Sequence, residues 1–445
     1  MKLSKNNSGQ RLWKKANKII PGGNGLLSKR PERYVPDLWP IYFSKAKGCY
    51  IWDLDGNKYI DMAQNGIGSA ILGYSDPDVN KAVYKVIKNS INTTLNPPEE
   101  VELAEFLLKL NPKMDMVKFA KGGGEAMSIA IRIARTFTKK ETILFSGYHG
   151  WPDWYLAANL QDSSNLNDHL IPGLSPAGVP AQLKGTSVPF FYNDVDDFKK
   201  KLKSNLKNLA AVVIEGARYD PPDKNFIKTI AEECKIKKIP LIVDEITSGF
   251  RICNSGTYVR YGYTPDIVVY GKALGNGFPI SAIVGNRTIM ESSTNSFLSS
   301  TMWTERVGFA AAIATLKKIT KLKLYKHLII KGEAIANIWL KLSVKHDLKI
   351  QVSSFYPLVT FKFCYQNMNN ELATLFTQEM LKKGILAAQS VYVTASHNEK
   401  ILQVYENKCD MVFKIISTAI SSKNINTLLE SRPRYDSFAR LNKTN

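Results

Sequence analysis

The middle of the chain alternates short apolar runs with segments of helical periodicity. Runs rich in β-branched residues predict strands at 116–120, 142–147, 210–215, 241–246, 266–271 and 280–285. Between most of them, apolar residues recur every three or four positions, as in EAMSIAIRIARTF and IKTIAEECKIKK. Apolar strands separated by helices predict an α/β fold with a mostly parallel sheet covered on both faces. Ligands bind beyond the carboxyl ends of such strands, so the residues that follow each run are the candidate site.

The two ends of the chain have a different pattern. Residues 48–61 predict a hairpin, because two β-rich runs flank an Asp-Gly turn. The C-terminal part predicts a helix, a strand-like stretch at 350–363 and further helices. We therefore expect a large domain at 66–325 and a smaller α+β domain, built from residues 1–65 and 326–445. The irregular stretch at 160–188 is expected to form an active-site loop.

Composition narrows the class of protein. The 445 residues are 44% hydrophobic and 22% charged, values that exclude a disordered, collagen-like or coiled-coil chain. No apolar run is long enough to span a membrane, and no apolar core follows the basic start as in a signal peptide. The five cysteines are scattered and form no CxxC pair. We expect a cytoplasmic protein with no membrane partner.

The net charge of +21 is the unusual feature of the composition. It is compatible with a polyanionic partner, a phosphorylated ligand or a lysine-rich solvated surface. The lysine clusters at 199–203 and 317–323 fall within helical patterns, where they form polar faces. Solvated helix faces therefore explain most of the charge, and no nucleic-acid partner is expected.

Three glycines at 122–124 join a predicted strand to a strong helical pattern. Unpaired backbone N–H groups and the helix dipole at such a junction favour phosphate binding. A tight strand-to-helix turn would also use glycine, so the motif alone leaves both interpretations open. No Gly-Lys-Ser/Thr follows, which excludes a Walker loop.

Two further strands end in charged residues. Asp244 and Glu245 follow an apolar strand, where a carboxylate needs a cationic or N–H partner. They are a ligand-binding pair or a structural pair; a metal site is the poorer alternative, since no histidine lies near them in sequence. Lys272 follows another apolar strand, where a lowered pKa would suit a Schiff-base nucleophile, although a lysine at a sheet edge is often only solvated.

Aromatic side chains follow the strand predicted at 142–147. Tyr148, His149 and Trp151 stand there, and aromatic rings at this position can stack on a planar ligand. With the glycine turn, Asp244 and Lys272, they provide a phosphate cradle, a ring-stacking group, a carboxylate for a pyridinium nitrogen and an amine for an aldehyde. This is the set of groups that pyridoxal 5'-phosphate requires.

The chain resembles the class III pyridoxal-phosphate-dependent aminotransferases, in particular the branch of glutamate-1-semialdehyde 2,1-aminomutase. The matching segments occur in the family's order and cover nearly the whole chain: PGG (21–23), AKGCYIWDLDGNKYIDM (46–62), LGYSDPDV (72–79), GGGEAMSIAIRIAR (122–135), GYHGW (147–151), LIVDEITSGFR (241–251), PDIVVYGKALGNGFP (265–279) and SSTMWTER (299–306). The resemblance implies the aspartate-aminotransferase-like fold known as PLP fold type I.

The resemblance assigns roles around the cofactor ring. Lys272 matches the catalytic lysine that binds the cofactor covalently and then moves the proton. Asp244 matches the aspartate that pairs with the pyridine nitrogen, and Tyr148 and Ile246 match the residues on the two ring faces. Glu215 matches a glutamate whose role varies between branches.

The phosphate turn departs from the family pattern. Gly123 and Gly124 match phosphate-binding positions, but the family's Ser-Gly-Thr is Gly-Gly-Gly here, so two hydroxyl donors are missing. We expect the phosphate to be held more weakly by about 1–3 kcal/mol unless another group compensates. Thr301 matches the threonine that reaches the cofactor phosphate of the neighbouring subunit. The resemblance therefore implies a homodimer with active sites at the interface.

The substrate residues depart further. In the aminomutase an arginine after PGG binds the substrate carboxylate; here Lys29 takes that place beside Arg30, and the surrounding residues differ. Trp151 and Trp303 are expected to form an aromatic entrance for a sugar-related or larger substrate.

We therefore expect an aminotransferase that moves an amino group from an amino-acid donor to a keto or aldehyde acceptor, without a metal ion. The alternatives are an intramolecular 2,1-aminomutase and a non-catalytic partner protein with the same fold.

Overall fold

The structure, a computed structural model, describes residues 3–169, 171–217 and 219–438. The chain divides into two compact units. One comprises residues 77–326, and the other combines the described residues up to 76 with those from 327 onwards. None of the helices in the described ranges is long and apolar enough to cross a membrane.

The strands in the described residues are numbered in chain order. They are β1 (Phe43–Lys47), β2 (Tyr50–Asp53), β3 (Lys58–Met62), β4 (Met116–Ala120), β5 (Thr142–Ser146), β6 (Ser187–Pro189), β7 (Leu209–Glu215), β8 (Leu241–Asp244), β9 (Ile267–Tyr270), β10 (Ser281–Gly285), β11 (Ile350–Val352), β12 (Leu358–Phe363), β13 (Ile385–Ala387) and β14 (Ser390–Tyr392).

The α-helices are numbered in the same way. They are α1 (Ser8–Ile19), α2 (Pro77–Ile87), α3 (Pro98–Leu110), α4 (Gly123–Thr138), α5 (Asp153–Leu156), α6 (Val195–Asn205), α7 (Lys224–Ile236), α8 (Thr257–Tyr261), α9 (Arg287–Met290), α10 (Arg306–Leu322), α11 (Leu324–Lys345), α12 (Asn369–Lys382), α13 (Glu399–Ser421) and α14 (Ile425–Leu428).

The unit at 77–326 is built around one large sheet. Its strand order in the described residues is β4-β10-β9-β8-β7-β5-β6. The pairs from β9 to β6 are parallel, whereas β10 pairs with β9 and β4 in the antiparallel direction. Every residue of β5, β7, β8 and β9 is buried, as expected of parallel strands covered on both faces. The mostly parallel α/β fold expected from the sequence is confirmed.

Helix α4 packs one face into the core under this sheet. Its apolar residues recur at helical spacing, and Met127, Ile131 and Ala134 are buried. The helix begins within the glycine turn, at Gly123, and ends at Thr138; the C-cap residue Lys139 has a left-handed φ of 56°. Packing in the core thus fixes the orientation of α4. Its N-terminus therefore lies at a fixed position, next to the ends of the strands.

The other unit contains smaller sheets, ordered β1-β2-β3-β13 and β11-β12-β14 in the described residues. Strands β2 and β3 are antiparallel, so the hairpin expected at 48–61 is confirmed. Asp53 stabilises its turn, because its carboxylate accepts hydrogen bonds from the backbone N–H groups of Asp55 and Asn57 and from the Tyr59 hydroxyl. The strand-like stretch at 350–363 contains β11 and β12, separated by a turn.

Candidate active site

Two carboxylates lie at the carboxyl edge of the large sheet. Glu215 ends β7, Asp244 ends β8, and the two residues are register partners in the parallel pair. In-register neighbours on parallel strands direct their side chains to the same face. Each residue is only 4% exposed. A buried carboxylate is costly without hydrogen-bond partners, and the segment after β5 supplies partners to both.

His149 is the partner of Asp244. Its Nδ1 atom lies 2.8 Å from Asp244 Oδ2, and the ring is 1% exposed. The other ring nitrogen, Nε2, lies 3.2 Å from the carbonyl oxygen of Ser146, which can only accept a hydrogen bond. Asp244 Oδ1 accepts the N–H of Ile246 at 3.0 Å. These contacts fix the orientation of the aspartate.

Glu215 is held by the neighbouring residue of the same segment. Its Oε2 atom accepts the backbone N–H of Tyr148 at 2.9 Å. The carboxylate packs so closely on Gly147 that a Cβ atom there would lie 2.6 Å from it, and Gly147 has a φ of +109°. His169, from the irregular stretch at 160–188, accepts the Gly147 N–H through Nδ1. The segment 147–149 is therefore tied to β7, to β8 and to the long loop.

Glu245 faces different partners from those of Asp244. It accepts hydrogen bonds from Ser248 Oγ at 2.6 Å and from the backbone and hydroxyl of Thr257, the first residue of α8. Burial raises the pKa of Glu245 to about 7, and these hydrogen bonds oppose the rise. The two neighbouring acids thus have different roles. Glu245 accepts hydrogen bonds at the start of the short helix α8, whereas Asp244 contacts His149.

Lys272 lies just beyond β9, the parallel neighbour of β8. Its Nζ atom donates to Thr247 Oγ1 at 2.7 Å. Its backbone has a φ of +39°, a conformation that costs a non-glycine residue roughly 1–3 kcal/mol and that clusters at functional sites. Arg251, 1% exposed, donates through Nε to the Thr247 carbonyl oxygen at 2.7 Å.

The glycine turn at 122–124 presents backbone donors. Glu125 Oε2 accepts the N–H groups of Lys121 at 3.0 Å and of Gly122 at 3.3 Å. The next two N–H groups, of Gly123 and Gly124, begin α4, where a helix has no acceptor of its own. Within the described residues they have no hydrogen-bond partner. They are therefore available to an anion.

Ile246 packs against both the glycine turn and the segment before Lys272. A Cβ atom at Gly123 would lie 3.0 Å from Ile246 Cδ1, and one at Gly271 would lie 3.3 Å from Ile246 Cγ2. A side chain at position 123 would therefore need Ile246 to shift by a few tenths of an ångström. The same isoleucine also sets the spacing between the donors of the turn and the lysine segment.

The two tryptophans have different environments. Trp303 donates through Nε1 to Glu125 Oε1 at 2.9 Å, so it supports the carboxylate that caps α4. Trp151 is 74% exposed and lies over Gly124, where a Cβ atom would be 3.3 Å from its Cδ1 and Nε1 atoms. A substrate role for either tryptophan stays a prediction.

Thr301, Lys29 and Arg30 are the remaining predicted residues. Thr301 begins a short 3-10 turn and is exposed. Lys29 and Arg30 belong to the other unit, in which Arg30 packs its guanidinium against Gly22. Their substrate role stays a prediction.

The side chains around Lys272 match the chemistry of pyridoxal phosphate. The turn offers two unpaired N–H donors for a phosphate, Asp244 is a fixed carboxylate for a protonated ring nitrogen, and Lys272 is an amine for an aldehyde. Tyr148 and Ile246 are partly buried apolar surfaces beside these groups. Across the described ranges, no group of three His, Cys, Asp or Glu side chains is placed to hold a metal ion.

Three of these contacts were not identified from the sequence. In the sequence His149 stands out only as an aromatic residue, because its bond to Asp244 spans 95 positions. Thr247 gives no signal of its own, although it lies in the same motif as Asp244. The capping role of Glu125 could have been anticipated, because a glutamate three residues after the N-cap is the usual mark of a capping box.

Comparison with known proteins gives a consistent result. The family model described as Aminotransferase class-III matches residues 33–420. The chain is 32% identical over 420 residues to a glutamate-1-semialdehyde 2,1-aminomutase of Nitrosopumilus maritimus, covering 89% of this chain and 96% of that protein. It is 30% identical over 384 residues to a 3-aminobutyryl-CoA aminotransferase of Cloacimonas acidaminovorans, covering 84% and 88%.

A solved structure with the same fold is the PLP form of the FumI protein of Sphingopyxis sp. MTA144. It superposes with a TM-score of 0.84 at 24% identity, covering 96% of this chain and 98% of that one.

Proposed function

The chain belongs to the class-III aminotransferases, and from that membership we propose that it transfers an amino group from an amino-acid donor to a keto or aldehyde acceptor. The fold is PLP fold type I, and pyridoxal phosphate is the cofactor. The observation that supports the reaction most strongly is the juxtaposition of strand ends: Asp244 ends β8, and Lys272 follows its parallel neighbour β9. A carboxylate and an amine at one sheet edge are what the two ends of the cofactor ring need.

The bound cofactor supplies an electron sink for the carbon that carries the amino group. Lys272 would hold the cofactor and, once released, take a proton from that carbon and return one, as a general base and then a general acid. Asp244 would face the ring nitrogen and keep it protonated. His149 would keep the Asp244 carboxylate oriented, since its ring is itself fixed by Ser146.

Other residues would position the cofactor. The N–H groups of Gly123 and Gly124 would donate to the phosphate, with the dipole of α4 favouring its negative charge. Tyr148 and Ile246 would contact the two faces of the ring. Glu215 would act through Tyr148, whose backbone N–H it accepts at 2.9 Å.

We also propose a homodimer with active sites at the interface. Leu95 and Phe297 are 81% and 85% exposed, and Met302 is exposed next to Thr301. Large apolar side chains of this exposure are typical of surfaces that another chain covers. In such a dimer, Thr301 would donate to the phosphate in the partner's site.

For the acceptor, we propose a carbonyl compound related to a sugar. The exposed Trp151 ring beside the phosphate turn supports this, because an indole face packs well against the apolar face of a sugar ring. Lys29 or Arg30 would bind an anionic group of the substrate. The five cysteines are unpaired, which favours a cytoplasmic location.

An intramolecular aminomutase is the second candidate, because several similar proteins bear that name. A half-reaction experiment distinguishes the aminotransferase from the aminomutase. The holoenzyme is mixed with glutamate and other amino donors, without an acceptor, and the visible absorbance of the lysine-bound cofactor is followed. Loss of that absorbance with a simple donor, and its recovery on adding a keto or aldehyde acceptor, is the expected result. A spectrum that responds only to an amino-aldehyde such as glutamate 1-semialdehyde would favour the aminomutase.

A further inference from the structure

We propose that Thr247 is a positioning residue for Lys272: its hydroxyl holds the ε-amine in one orientation whenever that amine is not joined to the cofactor. This role rests on the proposed function, since it concerns the same lysine. It assigns a purpose to a side chain that neither the motifs nor the comparisons single out.

The contact between the two residues is direct. Lys272 Nζ lies 2.7 Å from Thr247 Oγ1, a short distance for an N–H···O hydrogen bond. Thr247 stands three residues after Asp244, and Lys272 stands two residues after the end of β9. Because β8 and β9 are parallel neighbours, both side chains come from the same edge of the sheet.

Thr247 is itself fixed by its surroundings. Arg251 donates to its carbonyl oxygen at 2.7 Å, and the guanidinium is buried. Within the same turn, the N–H of Gly249 donates to the carbonyl oxygen of Glu245 at 2.8 Å, and the Ser248 hydroxyl donates to the Glu245 carboxylate. A β-branched side chain on such a backbone has few χ1 choices, so the position of the hydroxyl is set by the fold.

The backbone of Lys272 is constrained as well. Its φ of +39° follows Gly271, where a Cβ atom would meet Ser281 Oγ at 3.1 Å and Ile246 Cγ2 at 3.3 Å. The main chain on both sides of the contact is therefore fixed. The remaining freedom lies in the rotatable bonds of the lysine side chain, and the hydrogen bond to Thr247 limits that freedom.

A hydroxyl suits this task in both protonation states of the amine. It carries one donor and two acceptor sites, so it can accept from an ammonium group or donate to a neutral amine. Valine has nearly the same shape as threonine and can do neither. Serine keeps the hydroxyl and loses only the methyl group.

The test follows covalent capture of pyridoxal phosphate by the cofactor-free protein. Capture joins the lysine nitrogen to the aldehyde carbon and releases water, and the visible absorbance reports it. We expect Thr247→Val to slow capture about tenfold, the size expected for one lost hydrogen bond, at each pH tested. Thr247→Ser is expected to restore the rate to within about threefold. Thr294→Val is the matched control, because that exposed hydroxyl donates to the nearby backbone carbonyl of Glu291.

Noncovalent affinity is measured separately with Lys272→Ala, alone and combined with Thr247→Val, and is expected to be equal in the two proteins. Wild-type capture rates in Thr247→Val would overturn the assignment, as would a Thr247→Ser variant as slow as the valine variant. A wild-type protein that captures no cofactor at all would overturn the proposed function, and the role of Thr247 with it.

Discussion

His149 and Asp244 form a hydrogen bond of 2.8 Å in which both partners are almost completely buried. The Nε2 atom of the histidine lies 3.2 Å from the Ser146 carbonyl oxygen, so the ring is held by a second contact on its other side. The aspartate is therefore held in one orientation by a ring that is itself fixed. In the proposed function the Asp244 carboxylate has to face the ring nitrogen of the cofactor, and a fixed orientation serves that role.

Removing the histidine partner is expected to impair catalysis without removing the cofactor. His149→Phe keeps a ring in the pocket but loses both hydrogen bonds. A hydrogen bond to a charged group contributes about 1.5–3 kcal/mol, so kcat is expected to fall about 10–100-fold. Steady-state kinetics and the visible spectrum of the purified variant check this. Asp244→Asn is the reference, and we expect it to be more severe; a His149→Phe enzyme with normal kcat would contradict the role.

The glycine turn permits a test of the missing hydroxyl groups. Gly122 has an extended backbone (φ −94°), and among the described residues the nearest atom to a Cβ added there would be Glu125 Cβ, at 4.0 Å. Serine is a favoured N-cap residue and fits there. Gly122→Ser is expected to bind the cofactor up to about tenfold more tightly, as judged by titration of the cofactor-free protein.

The other missing hydroxyl meets a neighbour. A side chain at 124 would lie 3.3 Å from the Trp151 ring, so Gly124→Thr requires the indole to move. We expect Gly124→Thr alone to gain no cofactor affinity, and Gly124→Thr combined with Trp151→Ala to bind more tightly than either single variant. Additive free energies of binding across this double-mutant cycle would show that the ring and the turn are not coupled.

The stability of the protein is expected to depend on pH through Glu245. Burial raises its pKa from 4.5 to about 7, so the folded protein binds more protons than the unfolded chain between those values. The free energy of unfolding therefore decreases as pH rises through this window. Glu245→Gln removes the effect. Between about pH 4.5 and about pH 8, the variant is expected to gain about 3 kcal/mol relative to the wild type in denaturant unfolding.

Glu232→Gln, at an exposed carboxylate of α7, is the control for that measurement and is expected to follow the wild type. If Glu245→Gln and the wild type lose stability in parallel over the same pH range, the carboxyl of Glu245 does not titrate as its burial implies.

A shared active site can be tested by mixing subunits. Lys272→Ala removes the lysine of a subunit's own site, and Thr301→Val removes the hydroxyl offered to the partner's site. A mixed dimer would then contain one site with both groups intact. After unfolding and refolding of an equal mixture, about a quarter of all sites should be intact, because half of the dimers are mixed. Activity at limiting cofactor should exceed that of either variant alone; no gain would place Thr301 outside the partner's site.

Much of the fold could be predicted because parallel strands buried on both faces are apolar throughout. Each of the six predicted runs matches an observed strand to within two residues at either end. The run predicted at 241–246 ends at Asp244, because the chain turns there and directs Asp244 and Glu245 to different partners. Strand β6 was not predicted: it has three residues and includes Pro189, which an edge strand tolerates.

The positions of the candidate site residues could be predicted from the sequence. The contacts between their side chains could not. Asp244 and Lys272 stand out because charged residues follow apolar strands. The bond between Lys272 and Thr247 and the bond between His149 and Asp244 depend on how β5, β8 and β9 end relative to one another. The packing of Trp151 on Gly124 likewise depends on the path of a loop, which residue types alone do not specify.

The proposed chemistry requires that the cofactor be joined to Lys272. Borohydride reduction of the holoprotein makes that link permanent, and peptide mass mapping then locates it among the lysines. We expect one modified peptide, carrying the phosphopyridoxyl group on Lys272, and no modification in Lys272→Ala. A modification on a different lysine, or an unmodified Lys272 in a protein that binds the cofactor, would contradict it.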